Sequence, residues 1–237
     1  MFTPALLLGL LALLQASQAP AETAGAGPPK MIPYQLVMLK PGPSYPSAGT
    51  PEGQATLKEH VAHLYRLGAG GVSVAAGPFL DDGDIQGVLI VKAPTPAEAR
   101  QVEDADPAVK AGIFTVEVAP FLSPDGLFGK WAEFGKFETV YFGFLNSGPD
   151  RGQDPETAKR LQAEHLAYMR AQADQGKLVV AGPFTESGTR RGVVVYRVAS
   201  AEEARSRAEG DPMVKAGRLA VELHPWQVPQ GALPGPK

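Results

Sequence analysis

The sequence has no cysteine. Disulfides, thiolate zinc sites, iron–sulfur clusters and cysteine nucleophiles are therefore excluded, and a fold placed in an oxidising compartment would have to stand without disulfides. Basic charge is also short. The 22 Lys and Arg against 25 Asp and Glu leave a net charge of −3, which argues against a broad nucleic-acid surface. Histidine occurs four times, as His60, His63, His165 and His224. No HExxH, no GxSxG, no P-loop and no repeated metal-ligand spacing is present, so neither a metal nor a cofactor is called for. The one unbroken apolar run of note, Ala5 to Leu14, falls well short of the ~20 residues that span a bilayer. What remains, 44% hydrophobic and 20% charged, is an ordinary globular balance.

After that run, Ser17-Gln18-Ala19 supplies small residues where a signal peptidase reads. Residues 1–19 therefore read as a secretory signal, which would make the protein periplasmic or secreted with no stable membrane insertion after cleavage. Pro20 to Lys30 reads as a flexible segment.

The rest of the chain is one sequence written twice. Gly77-Pro78-Phe79 recurs as Gly182-Pro183-Phe184, Asp106-Pro107 as Asp211-Pro212, and Glu59-His60 as Glu164-His165, always 105 residues apart. Laid on 164–227 without a gap, residues 59–122 match at about 24 of 64 positions, far above the ~6% that composition alone gives. Upstream the register shifts by one, with Gly42-Pro43 meeting Gly148-Pro149.

Each copy shows the same order of elements. In the first, strands are predicted at Ile32–Leu39, Val72–Ala76, Gly87–Val91 and Phe114–Phe121. Pro41 to Gly53 reads as loop. A helix is predicted over Gln54–Leu67 from the spacing of Leu57, Val61, Leu64 and Leu67. Thr95-Pro96-Ala97-Glu98 is a helix start, with Thr as N-cap, Pro at N1 and an acid completing a capping box. Asp106 to Gly112 reads as a further short helical turn. The second copy predicts strands at Thr139–Leu145, Leu178–Ala181, Gly192–Val198 and Leu219–Trp226, with helices over Pro155–Gln175 and Ala201–Ala208. The order β-α-β-β-α-β is a ferredoxin-like unit. Its helices cover one sheet face and leave the other apolar and open, so the two tandem units, 31–122 and 137–227, are expected to pair sheet to sheet as a pseudo-twofold dimer within one chain. The fold class is thus α+β. Phe128, Trp131 and Phe134, spaced by three in the linker 123–136, predict a helix over the core, with a lid over a ligand cavity as the alternative. Residues 228–237 read as a flexible tail.

The polar residues common to both copies are Glu59, His60, Arg100, Asp106, Lys110 and Glu117, with Glu164, His165, Arg205, Asp211, Lys215 and Glu222. Arg100 and Lys110 suit a solvated helix surface. Asp106 suits a helix N-cap followed by Pro at N1, and a mid-helix His60 suits a hydrogen-bonded, partly buried position. The second copy has Tyr168 where the first has His63, so His60 and His63 are no repeated metal clamp. A carboxylate that accepts from one imidazole nitrogen fixes the tautomer and leaves the other free as a base. His60 with Asp106 and His165 with Asp211 are therefore the candidate catalytic pairs. The Gly-Pro turn could add backbone N–H groups toward a developing oxyanion.

The segments GPFLDDGDIQGVLIVKAPTPAEARQVEDADPAVKAG and GPFTESGTRRGVVVYRVASAEEARSRAEGDPMVKAG resemble the YCII family, through a helical His, a Gly-Pro-Phe turn, an acidic turn, a Gly-led strand, an acidic helix and a DPxxKAG segment. The resemblance covers nearly all of both copies and implies the dimeric α+β barrel fold. A few relatives in that family eliminate HCl from chlorinated muconolactone-type substrates at a His–Asp pair, and His60, Asp106, His165 and Asp211 match those positions. The acidic turn is Asp81-Asp82 in the first copy and Glu186-Ser187 in the second.

Three readings follow. The first is a small-molecule lyase or isomerase in which His60 or His165 removes a proton alpha to a carbonyl. The second is a non-catalytic module that binds a small ligand. The third is a structural or interaction domain.

Overall fold

A computed structural model describes residues 30–131 and 135–235. The expected signal segment 1–19, and the flexible segment after it up to residue 29, lie outside the described residues. The first repeat runs β1 (Met31–Pro41), a 3-10 turn (Tyr45–Gly49), α1 (Pro51–Ala69), β2 (Ser73–Pro78), β3 (Gly87–Val91), α2 (Pro96–Glu103), the one-turn α3 (Pro107–Lys110) and β4 (Phe114–Pro124). The second runs β5 (Phe137–Ser147), α4 (Pro155–Asp174), β6 (Leu178–Pro183), β7 (Arg190–Tyr196), α5 (Ala201–Glu209), the one-turn α6 (Pro212–Lys215) and β8 (Leu219–Pro229). Each repeat is one antiparallel sheet, in the orders β2-β3-β1-β4 and β6-β7-β5-β8.

The strands alternate between two apolar surroundings. On β1, Tyr34, Leu36 and Met38 point into a core shared with Val140, Phe142 and Phe144 of β5, while Val37 and Leu39 point to the helices of their own repeat. Burial on both faces explains why these strands read as continuous apolar runs. The sheets close into a barrel at two seams. Phe79 pairs with Trp226, and their repeat equivalents Phe184 and Phe121 pair with each other. Leu80 N–H donates to the Pro225 carbonyl at 2.8 Å, and Thr185 N–H to the Pro120 carbonyl at 2.9 Å. The repeats therefore pair within one chain.

The glycine of each Gly-Pro-Phe belongs to these seams. A Cβ on Gly77 would lie 1.7 Å from the Gln227 carbonyl oxygen, and one on Gly182 would lie 2.2 Å from that of Leu122. Only glycine lets the opposing strand come so near. The N–H groups of Phe79 and Phe184 are bonded to the Gln86 and Arg191 carbonyls, and those of Leu80 and Thr185 cross the seam. The turn therefore offers none of these four donors to an oxyanion, contrary to the sequence expectation.

Three other expectations need correction. The first long helix begins three residues early, at Pro51, because the Thr50 hydroxyl caps it by accepting from Gly53 N–H. Its buried residues are Gly53 and His60, whereas Val61, expected in the apolar stripe, is 38% exposed. The linker forms no helix among the described residues. Gly126 takes φ +79° and Gly129 lies against the Gly231 carbonyl, where a Cβ would clash at 2.0 Å. Phe134 lies outside the described residues. The tail is not free as far as residue 235: Ala232 and Leu233 are buried in the barrel core, beside Phe128 and Trp131. Linker and tail thus close one end of the barrel. The other end carries Lys40, Glu117, Asp81, Arg190, Glu222 and His224.

Candidate functional site

In each repeat a long helix and a one-turn helix bring one histidine onto one aspartate. His60 on α1 places Nδ1 2.6 Å from Oδ2 of Asp106, and His165 on α4 places Nδ1 2.6 Å from Oδ2 of Asp211. The carboxylates divide their oxygens. Asp106 Oδ1 accepts from Ala108 N–H at 2.7 Å, and Asp211 Oδ1 from Met213 N–H at 2.8 Å, so each caps its one-turn helix. Pro107 and Pro212 occupy the first helical positions, where a missing N–H removes nothing. Capping and orienting the histidine are two jobs of one side chain.

The electrostatics fit an ionised acceptor in the first repeat. Burial alone would raise the Asp106 carboxyl. The hydrogen bond from His60, the charge of that ring and the Ala108 N–H outweigh it and hold the group below the usual carboxylate range. An ionised carboxylate only accepts, so Nδ1 carries a proton in either state of the ring, and in the neutral ring Nε2 is the free nitrogen. No hydrogen bond among the described residues claims Nε2 of His60 or His165, and neither atom is among the buried unpartnered ones. Both residues are otherwise almost enclosed, at 7% and 8% exposure. His60 packs edge-on against Phe114, with ring centroids 5.4 Å apart.

His63 takes no part in this pair. Its Nε2 is buried with no hydrogen-bond partner, and burial foremost lowers its pKa. Its repeat counterpart Tyr168 donates to the Arg207 carbonyl at 2.8 Å and so ties the long helix of the second repeat to the next one. Arg100 donates to the Val116 carbonyl from an exposed position, in keeping with its surface reading. Among the described residues, no group of three or more His, Asp or Glu side chains is arranged to hold a metal ion, and no helix is long and apolar enough to cross a membrane.

The structure adds a third histidine–carboxylate contact. His224 Nδ1 lies 3.0 Å from Asp81 of the other repeat, its Nε2 lies 3.2 Å from Glu222, and its ring stacks on Phe79 at 4.4 Å. The acidic turn after Gly-Pro-Phe therefore serves the seam between repeats and not the His60 site. Comparing the copies could not find this contact, because Ala119 stands at the position of His224 in the first repeat.

The YCII-related domain matches residues 36–122 and again residues 144–227. The chain belongs to that family. Of the solved structures, two variants of the chlorite dismutase from Candidatus Nitrospira defluvii are similar to it at TM-scores of 0.53 and 0.52, with 10% and 9% identity. The matches cover 82% and 84% of this chain and 90% and 91% of those chains. At that identity the likeness is one of fold, the two-sheet α+β barrel. The 5-chloro-2-hydroxyhydroquinone dehydrochlorinase of Burkholderia phenoliruptrix AC1100 is similar over 35% of this chain and 89% of its own, at 24% identity and a TM-score of 0.28. None of the curated proteins matches the sequence.

Proposed function

We propose that this YCII protein is a small-molecule lyase or isomerase that removes a proton alpha to a carbonyl. His60 Nε2, and His165 Nε2 in the second repeat, would accept the proton. Asp106 and Asp211 hold the tautomer and stabilise the imidazolium that forms. The electron pair left on carbon passes into the carbonyl as an enolate. Reprotonation at another carbon gives an isomer, and expulsion of a leaving group on the neighbouring carbon gives an unsaturated product. The observation that carries this reading is the 2.6 Å contact between Nδ1 and a helix-capping carboxylate, built twice in one chain. Positioned general bases contribute about 10²–10⁴-fold.

The test is deuterium exchange at the alpha carbon of a panel of small keto acids and lactones in D2O, followed by NMR. The wild-type chain should exchange at least one of them. His60→Ala with His165→Ala together should lower that rate by ~10²-fold or more. An unchanged rate in the double variant would reject the reading. The near-enclosure of both rings favours a second reading, a module that binds a small ligand without turnover. It requires a ligand that raises the melting temperature and is recovered unaltered. We also propose export, on the apolar run Ala5–Leu14 and the small residues Ser17 and Ala19. The secreted protein should then begin at or within a few residues of Pro20.

A further inference from the structure

The two repeats differ most tellingly at three positions around the loop that follows the first strand. In the first repeat, Gly42 N–H donates to the Ile113 carbonyl and Ser44 N–H to that of Gly112. In the second, Gly148 N–H donates to the Arg218 carbonyl and Asp150 N–H to that of Gly217. These bonds fix the correspondence: Tyr45 answers to Arg151, and Ile113 to Arg218. The 105-residue offset makes Gln86 answer to Arg191. In the first repeat two of this neutral trio are joined, by a Tyr45 hydroxyl bond to Gln86 Oε1, 2.5 Å long. The second repeat has arginine at all three places.

These arginines have no acid partner among the described residues. Arg218 is only 4% exposed. One of its terminal N–H groups donates to Gln153 Oε1 at 2.6 Å, and its Nε–H is buried with no partner. Arg151 donates to the Arg218 carbonyl at 3.0 Å, which sets it over the same strand end. Arg191 reaches only the Gly188 carbonyl, at 3.5 Å. Asp150, the acid next to Arg151 in sequence, has Oδ1 bonded to Gly152 N–H. Burial, and then the charges of Arg191 and Arg218, push the Arg151 guanidinium below its usual value. Of the three only Arg218 is buried, while Arg151 and Arg191 are exposed beside it; a buried charge is normally paired, because an unpaired one is strongly destabilising.

The cluster stands beside the second catalytic pair. Arg218 N–H bonds back to the Met213 carbonyl, and Met213 N–H is the one held by Asp211. In the first repeat, Tyr45 lies 6.1 Å from Phe114 and Phe114 lies 5.4 Å from His60, measured between ring centroids. Arg151 and Leu219 hold the corresponding places near His165.

We propose that Arg151, Arg191 and Arg218 form an anion-binding subsite of the second repeat, for a small molecule that carries a carboxylate or phosphate group. As a statement of substrate class it rests on the proposed proton transfer at His165, but the binding itself can be tested apart from any turnover. Guanidinium groups suit planar, bidentate recognition of either oxyanion. The repeats would then handle different molecules. The first presents Tyr45 and Gln86, with Ile113 buried, and favours a neutral one, while the second takes an anion and holds it against His165.

The test titrates the full chain with inorganic phosphate and, separately, with succinate, each against sodium chloride of equal ionic strength, reading calorimetric affinity and melting temperature. At least one anion should bind and raise the melting temperature. Arg151→Tyr with Arg191→Gln, the first repeat's own residues, should weaken that anion at least tenfold. The same change should leave the ligand-free melting temperature equal or higher, because it relieves repulsion at an unpaired cluster. Preference for phosphate or for succinate then distinguishes the two oxyanions. Binding of neither anion, or equal affinity in the double variant, overturns the inference. So does a ligand-free melting temperature that falls by several degrees without any change in anion binding. His165→Asn should keep anion affinity within about twofold. Loss of exchange activity without loss of binding, or the reverse, separates the two proposals.

Discussion

Glu103, at the C-terminal end of α2, is wholly buried with neither carboxylate oxygen partnered, where the second repeat has Ala208. Burial foremost, then the charges of Asp106 and Asp104, raise its pKa to about 8. An acid whose folded pKa is raised holds a proton in the folded chain that the unfolded chain has released. Stability therefore falls as pH rises from the ordinary carboxylate range toward about 8, and is lowest above it. Each tenfold difference in proton affinity between the folded and unfolded chain is worth about 1.4 kcal/mol. Glu103→Gln should flatten this slope: urea unfolding at pH 5, 7 and 9 should show wild type losing stability stepwise and the variant losing little. A variant slope equal to that of wild type would mean the carboxyl is ionised and hydrated after all. Asp106 acts in the opposite direction and in another window. Its folded pKa is depressed, so its contribution is full above the unfolded value near 4 and disappears as pH falls through the folded one.

At the scale of elements, the one-turn helices α3 and α6 are too short to persist unaided, since nucleation alone is unfavourable. Each is held by an aspartate that does two jobs, and the jobs can be separated. Asp106→Asn keeps an oxygen that can accept from Ala108 N–H but loses the charge facing His60. Asp106→Ala loses both, for about 0.5–2 kcal/mol of cap and a further ~1–3 kcal/mol for the unpaired buried imidazole. The Ala variant should unfold at clearly lower urea than the Asn variant, while both should lose alpha-proton exchange in the first repeat. Equal midpoints would show that the cap contributes nothing.

The same elements show what was legible in the sequence. The strand Gly87–Val91 and the cap at Thr95 stood out, because a short apolar run and capping chemistry are local. The equivalent cap at Thr50 was hidden inside a stretch rich in Pro, Gly and Ser. The pairs His60–Asp106 and His165–Asp211 showed because the repeats agree there. His224–Asp81 and the three arginines did not, because they lie where the repeats disagree, and the first joins positions 143 residues apart with no periodic signal. Comparing two copies finds what they share and passes over what makes one of them different.

The whole molecule depends on two seams that are related by pseudo-symmetry but unequal in chemistry. At the β2–β8 seam, Trp226 Nε1–H donates to the Gly77 carbonyl at 3.0 Å, and His224 meets Asp81. At the β4–β6 seam, the Thr185 hydroxyl donates to the Pro120 carbonyl at 3.3 Å, and Arg190 reaches Glu117 at 2.6 Å from above the Phe144 ring. A single added methyl separates the strands at either seam, since neither clash involves a flexible side chain that could swing aside. The clash is tighter at Gly77, and it falls on the seam that buries Trp226 completely. Gly77→Ala should therefore cost more than Gly182→Ala, with both in or above the ~1–3 kcal/mol range of overpacked cores. Gly49→Ala, which meets open space, should change little and serves as the control. Urea midpoints rank the three, and Trp fluorescence shows whether the Gly77 change wets the indole. If Gly77→Ala matches the control with its emission unshifted, the seam yields without loss, and the barrel is held instead by the apolar core between its sheets.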